Sequence, residues 1–292
     1  MGANSLPRRI LKKIMYPLVN EKSYTYVQAA SKALDIRSGS WTEPEVDLLA
    51  FAVKKGETAF DIGANYGLYS YHLSSLIGDG KIYAFEPVPF TFNGLKLVSK
   101  MLRFKNVELN EKGCSNEKGE ISFSVPVQQS GAVAPGLAFI GSRNDEHSGK
   151  EQFDVGNFHT TYAQQVRWTE TREVTCEVVA LDEFLPSVEN LSLIKIDVEG
   201  AELFAFRGAE KLISKHLPSV ICEINPWYLK GFGVQLDELT DFFFDKGYKI
   251  YTYQNEGENK FMREVKVEEV VEDNYTFIHP TRLKRFSALL EK

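Results

Sequence analysis

Several features that mark whole classes of protein are missing from this sequence of 292 residues. No run of 18 apolar residues occurs, so we expect no membrane-spanning helix. The formal net charge is −6, which argues against nucleic acid as the main partner, because nucleic-acid-binding domains usually carry an excess of basic residues. The three cysteines are far apart and odd in number. They argue against a disulfide framework and a cysteine metal site, and they favour a reducing, cytoplasmic location.

The N-terminal stretch carries basic residues but lacks the signals of export or lipid anchoring. The sequence MGANSLPRRILKKIMYPLV has no long apolar core and no small-residue cleavage site, so it does not resemble a signal peptide. Its Met-Gly start suits myristoylation, but Leu6 stands where that motif needs Ser or Thr. We expect residues 1–50 to form a helical arm or cap. Its basic end would pack on the protein itself or contact a membrane surface or a partner.

Short strand-like runs alternate with helical patterns from residue 57 to about residue 250. This alternation predicts an α/β domain over residues 51–292, with a mostly parallel seven-stranded sheet, an antiparallel last strand and helices on both faces. The last two predicted strands lack a clear crossover helix, so we expect them to pair antiparallel at the sheet edge. In chain order the predicted strands are TAFDIGA, KIYAFEP, NVELNEKGCS, LSLIKIDVEG, SVICEINP, YKIYTYQ and NYTFIHP.

A polar segment at about residues 126–172 interrupts the alternation. It lies between two strand-like runs, EISFSVP and EVTCEVVAL, and is rich in Gly, Ser and polar residues. Long irregular insertions in compact domains are usually functional or mobile, so we expect this one to cover the substrate site. Two of its residues are predicted substrate contacts: His159, which could also act as a base, and Trp168, which could stack on a sugar or an apolar ring.

The stretch FDIGANYGLYS ends an apolar strand on a carboxylate and places Gly63 and Gly67 in the turn that follows. In open α/β sheets, ligands bind beyond the carboxyl ends of the strands, where glycines let them approach the backbone. A dinucleotide turn needs G-x-G-x-x-G, whereas this turn reads G-A-N-Y-G, and Asp61 would face the pyrophosphate. Glu86 ends the second strand, where an acid can accept hydrogen bonds from ribose hydroxyls. A nucleoside with a cationic group and no pyrophosphate fits this set, and S-adenosylmethionine is such a ligand.

Carboxylates also follow the fourth and fifth predicted strands. Asp197 and Glu199 lie in KIDVEGAE, and Glu223 and Asn225 lie in CEINP. If these groups converge beside the transferable methyl group, they can hold a hydroxyl in line and take its proton. We therefore predict Asp197, Glu199 and Glu223 as catalytic residues and Asn225 as a substrate contact. Oxygen atoms of Asp197, Glu223 and Asn225 would also suit Mg²⁺, the second cofactor that the sequence suggests.

Four stretches resemble the FkbM-type methyltransferases, a class I, Rossmann-like S-adenosylmethionine-dependent family. They are WTEPEVDLLAFAVKKGETAFDIGANYGLYS, IYAFEP, VALDEFL and LIKIDVEGAELFAFRGAEKLI, and the resemblance covers about residues 41–225. It implies O-methylation of a hydroxyl on a sugar, a glycan or a secondary metabolite. The cofactor contacts that the resemblance implies are Asp61, Gly63, Asn65 and Gly67 around the methionine portion, Glu86 on the ribose, and Gly113 and Cys114 beside the adenine.

Other functions stay open at this point. A nicotinamide-dependent oxidoreductase would share the sheet, although it would need a third glycine in the turn and no Asp61. A non-catalytic homologue would bind the cofactor and turn nothing over. N-methylation is a smaller alternative to O-methylation, and the sequence leaves the oligomeric state undetermined.

Overall fold

The structure is a computed structural model that describes residues 21–128, 139–140, 168–257 and 259–290. The first 20 residues of the predicted arm and most of the predicted insertion lie outside these ranges. His159 is among the residues outside the description, and so is the side chain of Trp168.

The described residues form twelve strands, most of them short. The strands that make the two sheets are, in chain order, β1 (Thr58–Ile62), β2 (Lys81–Phe85), β3 (Val107–Asn110), β4 (Gly113–Cys114), β5 (Gly119–Gln128), β6 (Phe139–Ile140), β7 (Trp168–Val179), β8 (Leu191–Ile196), β9 (Ser219–Ile224), β10 (Lys249–Glu256), β11 (Asn259–Glu264) and β12 (Asp273–Ile278).

The same ranges contain nine α-helices, and short 3₁₀ turns occur at Pro44–Leu48, Leu181–Ser187, Val267–Glu269 and Lys284–Phe286. None of the described helices combines the length and the apolar character that crossing a membrane requires. The helices are α1 (Glu21–Ser38), α2 (Leu49–Ala52), α3 (Leu68–Ile77), α4 (Pro89–Leu102), α5 (Glu202–Arg207), α6 (Glu210–His216), α7 (Pro226–Gly231), α8 (Leu236–Phe244) and α9 (Pro280–Leu283).

The main sheet has eight strands in the order β11-β10-β12-β9-β8-β1-β2-β3. The five strands from β9 to β3 are parallel, and β12 is antiparallel to both of its neighbours. The mostly parallel sheet and its antiparallel last strand are thus confirmed. Two details differ from the prediction. Strand β12 lies inside the sheet between β9 and β10, and an eighth strand, β11, folds back on β10 at the edge.

Helices cover both faces of this sheet, as the sequence predicts. On one face, Phe60 and Ile194 pack in a core with residues of α5, α6 and α8. On the other, Ala59 and Leu193 pack in a second core with residues of α1, α2 and α3. Side chains alternate along a strand, so Asp61 faces the second core although its neighbour Phe60 faces the first.

The second sheet has the order β4-β7-β5-β6 and contains the two strand-like runs that flank the predicted insertion. Strands β5 and β7 are antiparallel partners over most of their length. The predicted third strand, NVELNEKGCS, is wrong as a single element. Strand β3 ends at Asn110 in the main sheet, whereas Gly113 and Cys114 pair with Val178 and Val179 of β7 in the second sheet.

Candidate active site

The turn between β1 and α3 depends on two glycines with left-handed backbone angles. Gly63 has φ +78° and Gly67 has φ +85°. A Cβ atom on Gly63 would lie 1.8 Å from the carbonyl oxygen of Asp197, and one on Gly67 would lie 2.8 Å from a methyl group of Leu95. The packing of the chain on itself therefore requires both glycines. This packing is a reason for glycine that the sequence analysis does not include, and the contact of both glycines with the cofactor stays a prediction.

Glu86 ties this turn to the end of β2. Its Oε2 accepts a hydrogen bond from the backbone N–H of Asn65, and its Oε1 accepts one from Val88, both at 3.0 Å. Burial raises the pKa of Glu86 to about 7, although the two N–H groups act in the opposite direction. Asn65, with φ +49°, leaves its side chain exposed at the top of the turn.

Asp61 points away from the turn and under helix α3. The hydroxyl of Ser70 donates to its Oδ2 at 2.5 Å, and the residue is only 2% exposed. Burial raises the pKa of Asp61 to about 6, while Ser70 and the nearby Lys195 lower it. In this structure the carboxylate holds β1 against α3, and its predicted contact with the cofactor stays a prediction.

Asp197 and Glu223 come together at the neighbouring strand ends. Asp197 follows β8, its N–H donates to the carbonyl of Ile62 at 3.0 Å, and its side chain is hydrogen-bonded to that of Glu223. Burial raises the pKa of Glu223, and the adjacent Asp197 raises it further. The pKa of Glu223 therefore depends directly on its neighbour Asp197.

Glu199 occupies a strained position in the turn after β8. Its φ is +54° and that of Gly200 is +107°, so two left-handed residues follow one another. The carboxylate of Glu202 stabilises this turn by accepting hydrogen bonds from the N–H groups of Val198 at 3.3 Å and Gly200 at 3.0 Å. Burial, Asp197 and Glu223 raise the pKa of Glu199 to about 9, and Tyr228 is hydrogen-bonded to its side chain. Strain of this kind in non-glycine residues concentrates at functional sites.

Asn225 is a helix cap, a role that the sequence analysis does not assign to it, and its predicted contact with the substrate stays a prediction. Its Oδ1 accepts hydrogen bonds from the backbone N–H groups of Trp227 at 3.0 Å and Tyr228 at 3.3 Å, at the start of α7. An amide oxygen that already serves two donors has no lone pair left for a metal ion, which argues against Asn225 as a metal ligand. Among the described residues, no group of three or more His, Cys, Asp or Glu side chains could hold a metal ion, so the predicted Mg²⁺ site gains no support.

The residues predicted to border the adenine lie in a different strand from the one expected, and their contact with the adenine stays a prediction. Gly113 and Cys114 form β4 in the second sheet, so they are not the end of the third strand of the main sheet. The Cys114 side chain is buried in the first core, and burial alone raises the pKa of its thiol well above the usual range. Asn110 ends β3 instead, and its carbonyl accepts a hydrogen bond from the N–H of Glu86 at 3.1 Å.

Two groups near the carboxyl pair were missed by the sequence analysis. Lys195 is 2% exposed in the middle of the sheet, and Glu45 is 5% exposed on the 3₁₀ turn after α1. Burial raises the pKa of Glu45 to about 7, and Glu43 and Asp273 raise it further. A signal for Lys195 was present, because a charged residue inside the apolar run LSLIKI has no packing reason to be there.

Comparison with known proteins supports one family. Residues 61–250 match the model of the methyltransferase FkbM domain. The chain is 26% identical over 167 residues to Methyltransferase 1 of Beauveria bassiana (strain ARSEF 2860). The aligned region covers 56% of this chain and 63% of that protein. It is also 24% identical over 209 residues to Methyltransferase sdnD of Sordaria araneosa. Here the aligned region covers 65% of this chain and 73% of the relative.

A solved structure is also similar, namely the methyltransferase FkbM from Methylobacillus flagellatus KT. Its TM-score is 0.47 at 16% identity, over 93% of this chain and 59% of that one. The chain thus spans less than two thirds of the length of this protein and of Methyltransferase 1. Because the family model matches more than half of the sequence, this protein belongs to the FkbM methyltransferase family.

Proposed function

We propose that this protein is an S-adenosylmethionine-dependent methyltransferase that methylates a hydroxyl oxygen of a sugar, a glycan or a secondary metabolite. The proposal is carried by the observation that two sets of residues come together at the carboxyl ends of the parallel strands. The turn at residues 63–67 and Glu86 lie at the ends of β1 and β2, and the pair Asp197–Glu223 lies at the ends of β8 and β9. Membership of the FkbM family supports methyl transfer, and the carboxyl pair supports an acceptor that must lose a proton.

The residues at this edge fit S-adenosylmethionine. Its sulfonium and ammonium groups suit a site at which, among the described residues, buried carboxyls outnumber the one buried ammonium, that of Lys195. Each carboxylate oxygen of Glu86 holds one N–H group and keeps lone pairs that ribose hydroxyls could use. When bound, the cofactor supplies an electrophilic methyl group, and no other part of the chemistry needs to come from it.

The chain's own part in the reaction is to hold the acceptor and to take its proton. Asp197 accepts the hydroxyl proton while the acceptor oxygen forms its bond to the methyl carbon. Glu223, which shares a hydrogen bond with Asp197, fixes the orientation of the accepting carboxylate. Glu199, whose pKa is about 9, is protonated near neutral pH and can donate a hydrogen bond to the acceptor. The proton then leaves the pair for solvent.

Several finer parts of this function are proposals as well. The segment at about residues 126–172 would cover the acceptor, with His159 and Trp168 in contact with it. Residues 1–50 would cap the domain at residues 51–292, and a cytoplasmic location would supply the cofactor. The oxidoreductase alternative is not favoured, because the glycine turn lacks the third glycine and the family is one of methyltransferases.

Calorimetric titration with S-adenosylmethionine, S-adenosylhomocysteine and NAD is the first test. We expect micromolar binding of the first two ligands, which Glu86→Ala weakens, and no binding of NAD. Methyl-labelled cofactor with a panel of hydroxylated sugars and metabolites then tests turnover. Binding of NAD alone would favour an oxidoreductase. Binding of S-adenosylmethionine without transfer to any acceptor, amines included, would favour a non-catalytic homologue.

A further inference from the structure

Lys195 lies in a row of polar residues that crosses the sheet on the face covered by α3. In the strand registers, Lys195 of β8 is the partner of Asp61 in β1, and Glu223 of β9 is the partner of Asn274 in β12. Lys195 and Asp197 are two residues apart, so their side chains leave the strand on the same face. The ammonium group thus lies in the same layer as the carboxyl pair.

Within the described part of the chain, the direct contacts of this ammonium are with neutral groups. Its Nζ donates to the carbonyl of Ile196 at 3.2 Å and to Oδ1 of Asn274 at 3.3 Å, and it lies 5.0 Å from the centre of the Tyr69 ring. The hydroxyl of Tyr69 donates in turn to Oε2 of Glu43 at 2.7 Å. Neutral contacts alone would leave a buried cation expensive, so its compensation must come from charges slightly farther away.

Those charges are carboxylates on several of the segments around Lys195. Burial acts to lower the pKa of Lys195, but Asp197, Glu43 and Glu223 outweigh it and raise the pKa, so the group is a cation. The attraction is mutual, because the positive charge of Lys195 lowers the pKa values of Glu223, Asp61 and Glu45. The titratable groups around it are Glu43, Glu45, Asp61, Tyr69, Asp197 and Glu223, together with Cys222, whose side chain lies in the first core on the other face of the sheet.

We propose that Lys195 is a positioning residue for methyl transfer, whose buried ammonium is the counter-charge that allows Asp197 and Glu223 to lie side by side at the acceptor site. The proposal rests on the proposed function, since it assumes that this pair accepts the acceptor's proton. Lys195 is almost completely buried, so it acts through the pair and does not touch the acceptor. Asn274 holds the ammonium in place, and it lies opposite Glu223 in the sheet.

The alternative role for Lys195 is purely structural, as a link between β8 and β12. The two roles differ in what Lys195→Met and Lys195→Arg should do. A counter-charge predicts that Lys195→Met lowers kcat by about a hundredfold, with KM for the cofactor little changed. Lys195→Arg keeps the charge but displaces it, so it should restore only part of the loss. A structural link predicts that the two variants lose stability and that kcat follows the folded fraction.

A double-mutant cycle tests the counter-charge without any acceptor. Denaturation midpoints would be measured for wild type, Lys195→Met, Glu223→Gln and the double variant. We expect Glu223→Gln to recover part of the midpoint that Lys195→Met loses, because it removes a carboxyl that has lost its counter-charge. The matched cycle is Lys249→Met with Glu264→Gln, an exposed pair in the same sheet at 2.9 Å, which should be close to additive.

The outcomes separate this proposal from the proposed function. Additive midpoints, or a folded Lys195→Met protein with wild-type kcat, would overturn the role of Lys195. If Lys195→Met does not fold, Lys195→Arg and Asn274→Ala decide the matter, since both keep the charge and displace it. We expect each to lower kcat by about tenfold, and wild-type kcat in both would overturn the proposal.

Failure of the wild type to transfer methyl to any acceptor would count against the proposed function alone, because the cycle needs no turnover.

Discussion

The turn at residues 63–67 follows β1, and the segment at residues 197–202, here called the edge, follows the adjacent strand β8. The two segments differ in how their polar groups and backbone are stabilised. In the turn, the polar groups of Glu86 and the backbone satisfy one another, and both glycines are fixed by packing. At the edge, Asp197, Glu199 and Glu223 crowd together, and Glu199 has a left-handed backbone. The turn is held by its own hydrogen bonds and packing, whereas the edge brings together carboxyl groups with raised pKa values and a strained backbone.

The difference suggests that the turn binds the cofactor and that the edge carries out the chemistry. A preformed turn offers the cofactor a rigid surface, which reduces the entropy lost on binding. Crowded carboxyl groups and a strained backbone lower the stability of the folded state. Such features are typical of catalytic and binding residues. The following predictions test this division, in order of decreasing effect.

The largest expected effect is on the fold, from Gly63→Ala. The new Cβ would meet the carbonyl oxygen of Asp197 at 1.8 Å and would also impose a left-handed angle on alanine. We expect a loss of about 3 kcal/mol or more in unfolding free energy, measured by chemical denaturation. The control is Gly233→Ala, with φ +71° and nothing within 4 Å, for which we expect a loss of about 1 kcal/mol. Equal losses would mean that packing against Asp197 does not fix the turn.

The next effect is on catalysis, from Asp197→Asn. Removing the proton acceptor should lower kcat by about 10²–10⁴-fold in a labelled-methyl assay. Affinity for S-adenosylhomocysteine, which lacks the sulfonium charge, should not change in calorimetry. Asp79→Asn, on an exposed turn, is the matched control and should leave kcat unaltered. A variant with normal kcat would remove Asp197 from the mechanism.

Cofactor affinity should respond to Glu86→Gln. The amide keeps the shape of the side chain but offers one acceptor oxygen in place of two, so one of the N–H groups of Asn65 and Val88 loses its partner. We expect calorimetry with S-adenosylhomocysteine to give a Kd raised by about tenfold. Glu108→Gln on neighbouring β3 breaks only an exposed ion pair with Lys81 and should leave the Kd as it is. A similar Kd in both variants would contradict the role of Glu86.

Glu199→Gly should stabilise the protein and reduce its activity. Glycine adopts φ +54° without strain, so we expect a gain of about 1 kcal/mol in unfolding free energy together with a lower kcat. Asn65→Gly, at φ +49°, is the control and should gain less, since asparagine tolerates this conformation. A Glu199→Gly variant that is both less stable and fully active would contradict the assignment of the edge to function.

The smallest effect is a pH dependence of stability. The pKa of Glu199 in the folded protein, about 9, lies above its ordinary value, so the folded state binds more protons than the unfolded state between these values. Stability should therefore fall as pH rises through this window, with the full cost reached only above the folded pKa. We expect Tm to decrease from pH 5.5 to pH 8.5 and Glu199→Gln to reduce that decrease. A Tm difference between the two proteins that does not vary with pH would count against the raised pKa.

Much of the fold could be predicted from local patterns. The alternation of strands and helices gave the parallel sheet, because each element carried its own periodicity. The break between Asn110 and Gly113 could not be predicted in this way, since it depends on pairing with β7, more than 50 residues away in sequence. The position of β12 inside the sheet depends on a similar long-range choice, which its own residues do not encode.

The candidate site shows the same limit. The convergence of Asp197 and Glu223 follows from their positions at the ends of adjacent parallel strands, so sequence was sufficient. The cap formed by Asn225 was not foreseen, although Asn before Pro226 at the end of a strand is a helix N-cap signal. The packing reason for Gly63 could not be read from the sequence, because the carbonyl that excludes a side chain there belongs to Asp197, far along the chain.

The most direct test of the account is to locate the methyl group on a product. The wild-type protein would be incubated with methyl-labelled S-adenosylmethionine and a mixture of sugars and secondary metabolites that carry hydroxyl groups, amino groups or both. Tandem mass spectrometry would then assign the labelled position. The account predicts label on a hydroxyl oxygen, lost in Asp197→Asn. Label on nitrogen alone, or no label although the cofactor binds, would contradict it.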